Sequence, residues 1–516
     1  LNTADRIVVV SNRLPDPTKP AAGGLAVALE EMPQETQILW FGWSGNKYDG
    51  LGPHSWQLQD PRHENTTFAC MDLSHWQYDN YYAGFANSML WPVFHEKVEY
   101  AELKPEFYEA YKEVNKKFAS ELAPMLKGDD VLWIHDYHLI PLAEELRAMG
   151  CKQRMGFFNH IPFPPPDVIK ELPQHRELMK ALFSYDLVGM QSAKDVENLR
   201  QYVEVEGQGT RTDGPVVKGF GRSSSFKEFP IGIDAGKFES LKLSDPSKLL
   251  PRSQEILSEV SAEASRRRLM IGVDRLDYSK GIPTRLEAFR DYLKQNPDVH
   301  GEVTFVQIAA PTRETVQAYK DLKEKTASLV NEINREFGTD SWKPVIYYNE
   351  PVEREALPKI YSLGAVGVVT PTADGMNLVA KEYVAAQALE NPGVLVLSER
   401  AGAAPQLSAA VLVPPDDPPA IARAFKRAMT MPLDQRQRMH APLLDNVTTQ
   451  DLPGWSQSFL EHLDRVPTAA DHGNTAPAAS AHSSPNQEAT TGAAGPLGTQ
   501  FTAHRASPAA PASSTR

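Results

Sequence analysis

A chain of 516 residues has room for two or three domains, and an apolar content of 41% gives each a sizeable core. The 53 basic and 66 acidic side chains leave a net charge of −13, which disfavours nucleic acid or an acidic membrane surface as main partner. Two cysteines, Cys70 and Cys151, exclude a disulfide framework and a cysteine-rich metal site.

The first predicted strand covers residues 7–10, with Arg13 just beyond it. It starts almost at once, and no apolar run reaches the length of a membrane span, so the expectation is a cytoplasmic protein without a signal peptide or membrane segment. Gly23-Gly24 opens a predicted helix at residues 22–29, which is a weak phosphate-loop signal. No G-x-G-x-x-G occurs in the chain, so the dinucleotide fingerprint is missing. Trp40, Trp43, Trp76, Tyr78, Tyr81, Tyr82, Phe85 and Trp91 follow; core packing accounts for most of them. Residues 76–91 also carry Asp79, Asn80 and Asn87, too polar for a clean core element, and aromatics beside amides suit a sugar-binding wall.

Continuous apolar runs at 131–135, 155–159, 187–190, 269–273, 303–308, 366–370 and 394–398 read as parallel strands buried on both faces. Helix-length segments such as 142–149 and 195–205 separate them, the pattern of doubly wound α/β units. The run Trp133-Ile134-His135-Asp136-Tyr137-His138 ends one strand. Neighbouring strand-end side chains do not all point one way, so Asp136 as a hydroxyl acceptor is preferred to a metal site. His160 ends the next strand and is fixed by the proline-rich 161–166 segment; a purely structural histidine remains open there. The chain divides near 229–234, giving an expected first domain at 1–234 and a second at 235–466 that includes a final helical segment. Residues 467–516, rich in Ala, Pro and Ser, read as a disordered tail.

Two loops of the second half carry the chemistry. Arg275 and Lys280 lie on a short loop after the strand at 269–273, and a helix with Pro283 in its first turn follows. Cations beside a helix start suit a diphosphate that gains charge on leaving. The second loop, 371–382, joins Asp374-Gly375-Met376-Asn377-Leu378-Val379 to Glu382, an acid placed to accept from a ribose diol. Singly, each loop also reads as an ordinary turn with solvated charges; together they favour a nucleotide-sugar site. No Asp-x-Asp occurs, so the metal-bridging pair of single-domain sugar transferases is absent and no metal is expected.

On Ser11-Asn12-Arg13, Gly23-Gly24-Leu25, Trp40-Phe41-Gly42-Trp43, Leu90-Trp91-Pro92, and the segments 133–138, 157–163, 275–281, 375–382 and 392–397, the chain resembles the trehalose-6-phosphate synthase family over residues 6–465. The resemblance implies two Rossmann-like domains facing across a cleft (GT-B). It also implies a retaining glycosyltransferase that moves glucose from UDP-glucose, or another nucleoside diphosphate glucose, to glucose 6-phosphate without a cofactor. Arg275 and Lys280 then match the diphosphate ligands, and Glu382 the ribose acid. Leu378 and Val379 supply backbone contacts to the donor, and Asp374 with the amides of Gly375, Met376 and Asn377 holds the donor glucose. Gly24 matches a residue near the donor phosphate. Arg13 and Arg313 match the acceptor-phosphate cations, Tyr82, Trp91 and Asp136 the acceptor-sugar wall, and His160 a group near the anomeric carbon. Small-molecule partners, no nucleic acid and a homo-oligomer (dimer or tetramer) complete the expectation. Three other readings stay open: another phosphorylated acceptor such as glycerol 3-phosphate, a non-catalytic regulatory subunit, or a nicotinamide dehydrogenase weakened by the missing fingerprint.

Overall fold

Fifteen strands form two sheets in the computed structural model, which describes residues 6–15, 36–49, 55–59, 64–210 and 214–468. Gly24, the 22–29 segment and the tail from residue 469 lie outside the described residues. The first sheet uses β1 (Arg6–Arg13), β2 (Gln37–Tyr48), β3 (Ser55–Gln59), β4 (Thr66–Ser74), β5 (Val131–His135), β6 (Arg154–Phe158), β7 (Leu187–Met190), β8 (Val216–Gly219) and β9 (Arg222–Glu228). Their order is β3-β4-β2-β1-β5-β6-β7-β9-β8, parallel except for the antiparallel edge pairs β3/β4 and β8/β9. The second sheet uses β10 (Arg268–Arg275), β11 (Val303–Ala310), β12 (Val345–Tyr348), β13 (Gly364–Val369), β14 (Val394–Ser398) and β15 (Val411–Val413). It is wholly parallel, in the order β12-β11-β10-β13-β14-β15.

The eight strand runs named from the sequence coincide with these strands, two of them (155–159 and 366–370) running one residue past the strand end, because helices cover both faces of a parallel sheet and most strand side chains are then apolar. Each sheet has a switch point. The chain leaves β1 toward β2 and returns to β5, and it leaves β10 toward β11 and returns to β13. The loops after these strands diverge there and open a crevice at the carboxyl ends.

The last helix, Leu452–Arg465, belongs to the final helical segment expected in the second domain, and it follows the second sheet in the chain. It packs on the first sheet: Trp133 lies 5.1 Å from Trp455 and 5.2 Å from Phe459, and Phe158 lies 5.0 Å from Trp455. Trp455 Nε1 donates to the Phe229 carbonyl at 3.1 Å, so the helix also fastens the first crossing between the domains. Sequence periodicity marks its apolar stripe but does not say which sheet that stripe covers.

Candidate active site

A cavity of about 760 Å³ lies where the carboxyl ends of β1, β5 and β6 face those of β10 and β13. Residues from both sheets line it, including Arg13, Asp136 and His160 on one side and Arg275, Lys280 and Glu382 on the other. That size suits a nucleotide-sized ligand.

On the second sheet, Arg275 ends β10 and is exposed to the cavity. Among the described residues it enters no ion pair; its guanidinium carbon lies 5.5 Å from the centroid of the Trp91 ring. Lys280 pairs directly with the Asp374 carboxylate, and Asn377 Nδ2 donates to the same oxygen at 3.0 Å. Burial works to raise the Asp374 pKa, but the Lys280 ammonium and these hydrogen bonds hold it below the ordinary value. The two loops also join through the backbone, Thr372 N–H donating to the Ser279 carbonyl at 2.8 Å. Gly281, at φ 66°, lets the first loop turn into its helix where a Cβ would meet the Thr370 oxygen at 2.3 Å.

Asn377 caps the helix Leu378–Ala386 from a left-handed φ of 74°, its side chain accepting from Ala380 N–H. Leu378 and Val379, the first residues of that helix, line the cavity, and the first amides of a helix have no partner within it. Glu382, one turn on, accepts from Tyr361 Oη at 3.3 Å, and burial raises its pKa. Met376 lines the cavity from a buried position. Gly375 does not line it. A Cβ there would meet the His160 carbonyl at 2.1 Å, so the small residue serves loop-to-loop packing.

On the first sheet, Asp136 sits at φ 78°, and the His160 backbone N–H donates to its Oδ1 at 3.3 Å. Burial pushes its pKa up to about 6, against the lowering pull of the backbone hydrogen bonds and of Arg313 and Arg275. His160 Nε2 lies 3.1 Å from His135 Nδ1. Burial lowers His160 to about 4 and His135 well below its usual value, so both are neutral imidazoles at pH 7. Arg13, the last residue of β1, carries its guanidinium 5.6 Å from the Trp43 ring.

The remaining acceptor candidates form a layer behind this wall. Tyr82 stacks on His138, itself a lining residue, at 5.9 Å. Trp91 lies under the Arg313 guanidinium at 3.8 Å. Arg313 is mostly buried and bound to Asp277 at 2.9 Å, so this cation is already paired. Among the described residues, Trp91 Nε1, His135 Nε2 and both His138 ring nitrogens are buried without a protein hydrogen-bond partner. Tyr82 belongs to a π-helical stretch, Tyr78–Leu90. Asn87 Nδ2 donates to the Tyr82 carbonyl and Ser88 Oγ to the Ala83 carbonyl, both at 2.8 Å across five residues. Those bonds explain why the segment was too polar for an ordinary core helix.

Of six non-glycine residues with positive φ among the described residues, three are Asp136, Arg313 and Asn377. Backbone strain thus gathers at the cleft. Sequence reading missed Arg285, which is fully buried. Its guanidinium donates to Asp274 (2.5 Å), to Thr370 Oγ1 (3.0 Å) and to the Lys280 carbonyl (2.7 Å), tying together the loops that follow β10 and β13. The signal was present: Arg285 shares a helical stripe with Ile282, Leu286 and Phe289, and a charge on a buried stripe must be paired. Among the described residues no cluster of three His, Cys, Asp or Glu side chains is arranged to hold a metal.

The model of glycosyltransferase family 20 matches residues 6–465. A trehalose-6-phosphate synthase of Sinorhizobium fredii is 42% identical over 463 residues, covering 89% of this chain and 98% of that protein. The Enterobacter sp. (strain 638) enzyme of the same name is 40% identical over 463 residues, covering 89% and 95%. Among solved structures, an α,α-trehalose-phosphate synthase (UDP-forming) from Burkholderia xenovorans in complex with glucose-6-phosphate superposes with a TM-score of 0.82 at 39% identity, over 89% of this chain and 99% of that one. An E. coli structure bound with UDP-2-fluoro glucose gives 0.84 at 38% identity, over 90% and 99%. With two doubly wound sheets, a shared cleft and a match that spans nearly all described residues, the chain belongs to glycosyltransferase family 20.

Proposed function

We propose that the cleft transfers glucose from UDP-glucose to glucose 6-phosphate with retention of configuration, giving α,α-trehalose 6-phosphate and UDP. Two classes of residue facing each other across one cavity carry this reading: unpaired Arg275 with Lys280 and a helix start on the second sheet, and Arg13, Asp136 and His160 on the first. Relatives solved with glucose-6-phosphate and with UDP-2-fluoro glucose supply the two ligand classes.

In this assignment Arg275, Lys280 and the Leu378 and Val379 amides hold the diphosphate, Glu382 the ribose, and Asp374 with its loop the donor glucose. Arg13 binds the acceptor phosphate and Asp136 an acceptor hydroxyl, with Trp91 and Tyr82 shaping the wall. Arg313 reaches the phosphate by turning from Asp277. As the bond from the anomeric carbon to the diphosphate oxygen breaks, the acceptor hydroxyl attacks the same face and its proton passes to a leaving phosphate oxygen. Positioning and stabilisation of the departing charge supply the rate. Neutral His160 lies beside the sugar as a hydrogen-bonding group.

Incubation with both substrates is expected to give the mass of trehalose 6-phosphate with two α-anomeric signals in NMR. Product from glycerol 3-phosphate instead, or no transfer at all, contradicts the reading. Because side chains and helix amides meet the diphosphate charge, a chelator is expected to leave the rate unchanged. Arg13→Ala is expected to raise the KM for glucose 6-phosphate while slow donor hydrolysis persists; a change confined to donor affinity contradicts its role. Asp136 accepts best when ionised, so kcat/KM for the acceptor should rise through about pH 6 and then level. Asp136→Asn should flatten that limb. If the limb survives, it belongs to the acceptor phosphate, whose second ionisation also lies near 6. Small-molecule substrates, a cytoplasmic setting and a homo-oligomer complete the proposal. Among the described residues no helix is long and apolar enough to cross a membrane.

A further inference from the structure

The donor loop 373–377 is a thin partition. The main cavity lies on one side, and a second cavity of about 290 Å³ on the other shares Asp374 and Gln191 with it. The loop therefore depends on backbone contacts with the turn that follows β14. Asp374 N–H donates to the Arg400 carbonyl (3.3 Å), Gly402 N–H to the Asp374 carbonyl (3.0 Å) and Ala403 N–H to the Met376 carbonyl (2.9 Å). A Cβ at Gly402 would meet the Gly375 oxygen at 1.7 Å, so this turn and the loop move as one body.

The same turn reaches the other domain. Arg400 Nη2 donates to Glu96 Oε2 at 2.5 Å, while Nη1 lies 3.3 Å from Asp416 on its own domain. Glu96 holds a φ of 55°, uncommon for a non-glycine residue, just after the short helix Trp91–Phe94. Trp91 of that helix touches Arg313 and Arg275, so one first-domain segment meets the second domain both at its cations and at the turn behind its sugar loop. Arg400 thus bridges two carboxylates at once, one across the domain boundary and one beside it. Side-chain contacts of this kind decide how two separately packed domains sit on each other.

We propose that the Glu96–Arg400 ion pair is an interdomain clasp, with Arg400 a positioning residue that seats the 373–377 loop against the donor sugar. The inference rests on assigning that loop to the donor. When the domains separate, Arg400 keeps only Asp416, and the turn it belongs to carries Asp374 away from its working position.

The test is a double-mutant cycle on the full chain with Glu96→Gln, Arg400→Met and the pair together, read as KM and kcat for each substrate with thermal melts alongside. Each single variant should lower kcat/KM for the donor by about 5-fold, leave the acceptor KM unchanged, and give the double variant no further loss. Arg400→Lys, which keeps the charge, should recover part of the loss. Additive losses, equal effects on both substrates, or single variants within twofold of the parent overturn the clasp. A variant that melts early is decided by Glu96→Gln and Arg400→Lys, which keep size and folding contacts. A parent protein making no trehalose 6-phosphate would overturn the function instead, a separate outcome.

Discussion

Lys280→Ala is expected to lower kcat at saturating donor by about 10²-fold. One charge-assisted hydrogen bond contributes about 1.5–3 kcal/mol, and each 1.36 kcal/mol is tenfold in rate. The geometry adds to that. Lys280 neutralises the Asp374 carboxylate as well as facing the cleft, so its removal leaves a buried negative charge, still hydrogen-bonded by Asn377, beside the diphosphate. Lys280→Ala combined with Asp374→Asn should regain part of the lost thermal stability yet recover little turnover, because the diphosphate still lacks its ammonium. Near-normal turnover in Lys280→Ala would remove this residue from the chemistry.

Arg285→Met should produce the largest loss of stability, about 3–5 kcal/mol by denaturant titration, since it strands the buried Asp274 carboxylate. Turnover should fall as well, because Thr370 and the Lys280 carbonyl lose the group that aligns the two loops. The pH dependence has a definite sign. Burial already raises the Asp274 pKa while Arg285 pulls it down, so the variant raises it further. A folded carboxyl above its unfolded value of about 3.9 binds more protons than the unfolded one, so the variant's deficit should shrink as pH falls through that window. Adding Asp274→Asn should relieve much of the deficit; strict additivity would show that the two side chains act independently.

What the sequence disclosed follows from how each element buries its side chains. Strands such as β10 and β13, covered on both faces, spell out continuous apolar runs. In β9 the buried positions include Ser224 and Ser225, so the apolar-run criterion passed over it, and β15 has only three residues. The residues proposed for the donor are close together in sequence: Arg275 ends a strand and Lys280 follows in the connection to the next helix, and 374–382 runs from a loop into the helix after it. The acceptor side joins residues from 13 to 313, and sequence spacing carries no record of which side chains face the cavity. Tyr82, Trp91 and Arg313 accordingly stand behind the lining rather than on it, and Gly375 packs against the His160 carbonyl. Arg400 drew no attention as a surface-type arginine; its partner lies 304 positions away.

Central to all of this is that side-chain cations and a helix start, held between two domains, take up the charge of the departing diphosphate. A crystal structure with UDP and glucose 6-phosphate tests it most directly. The diphosphate oxygens should lie within about 2.7–3.2 Å of the Arg275 guanidinium, Lys280 Nζ and the Leu378 or Val379 amides. A diphosphate lodged away from these groups, or bridged to the protein by a divalent ion, would contradict the account.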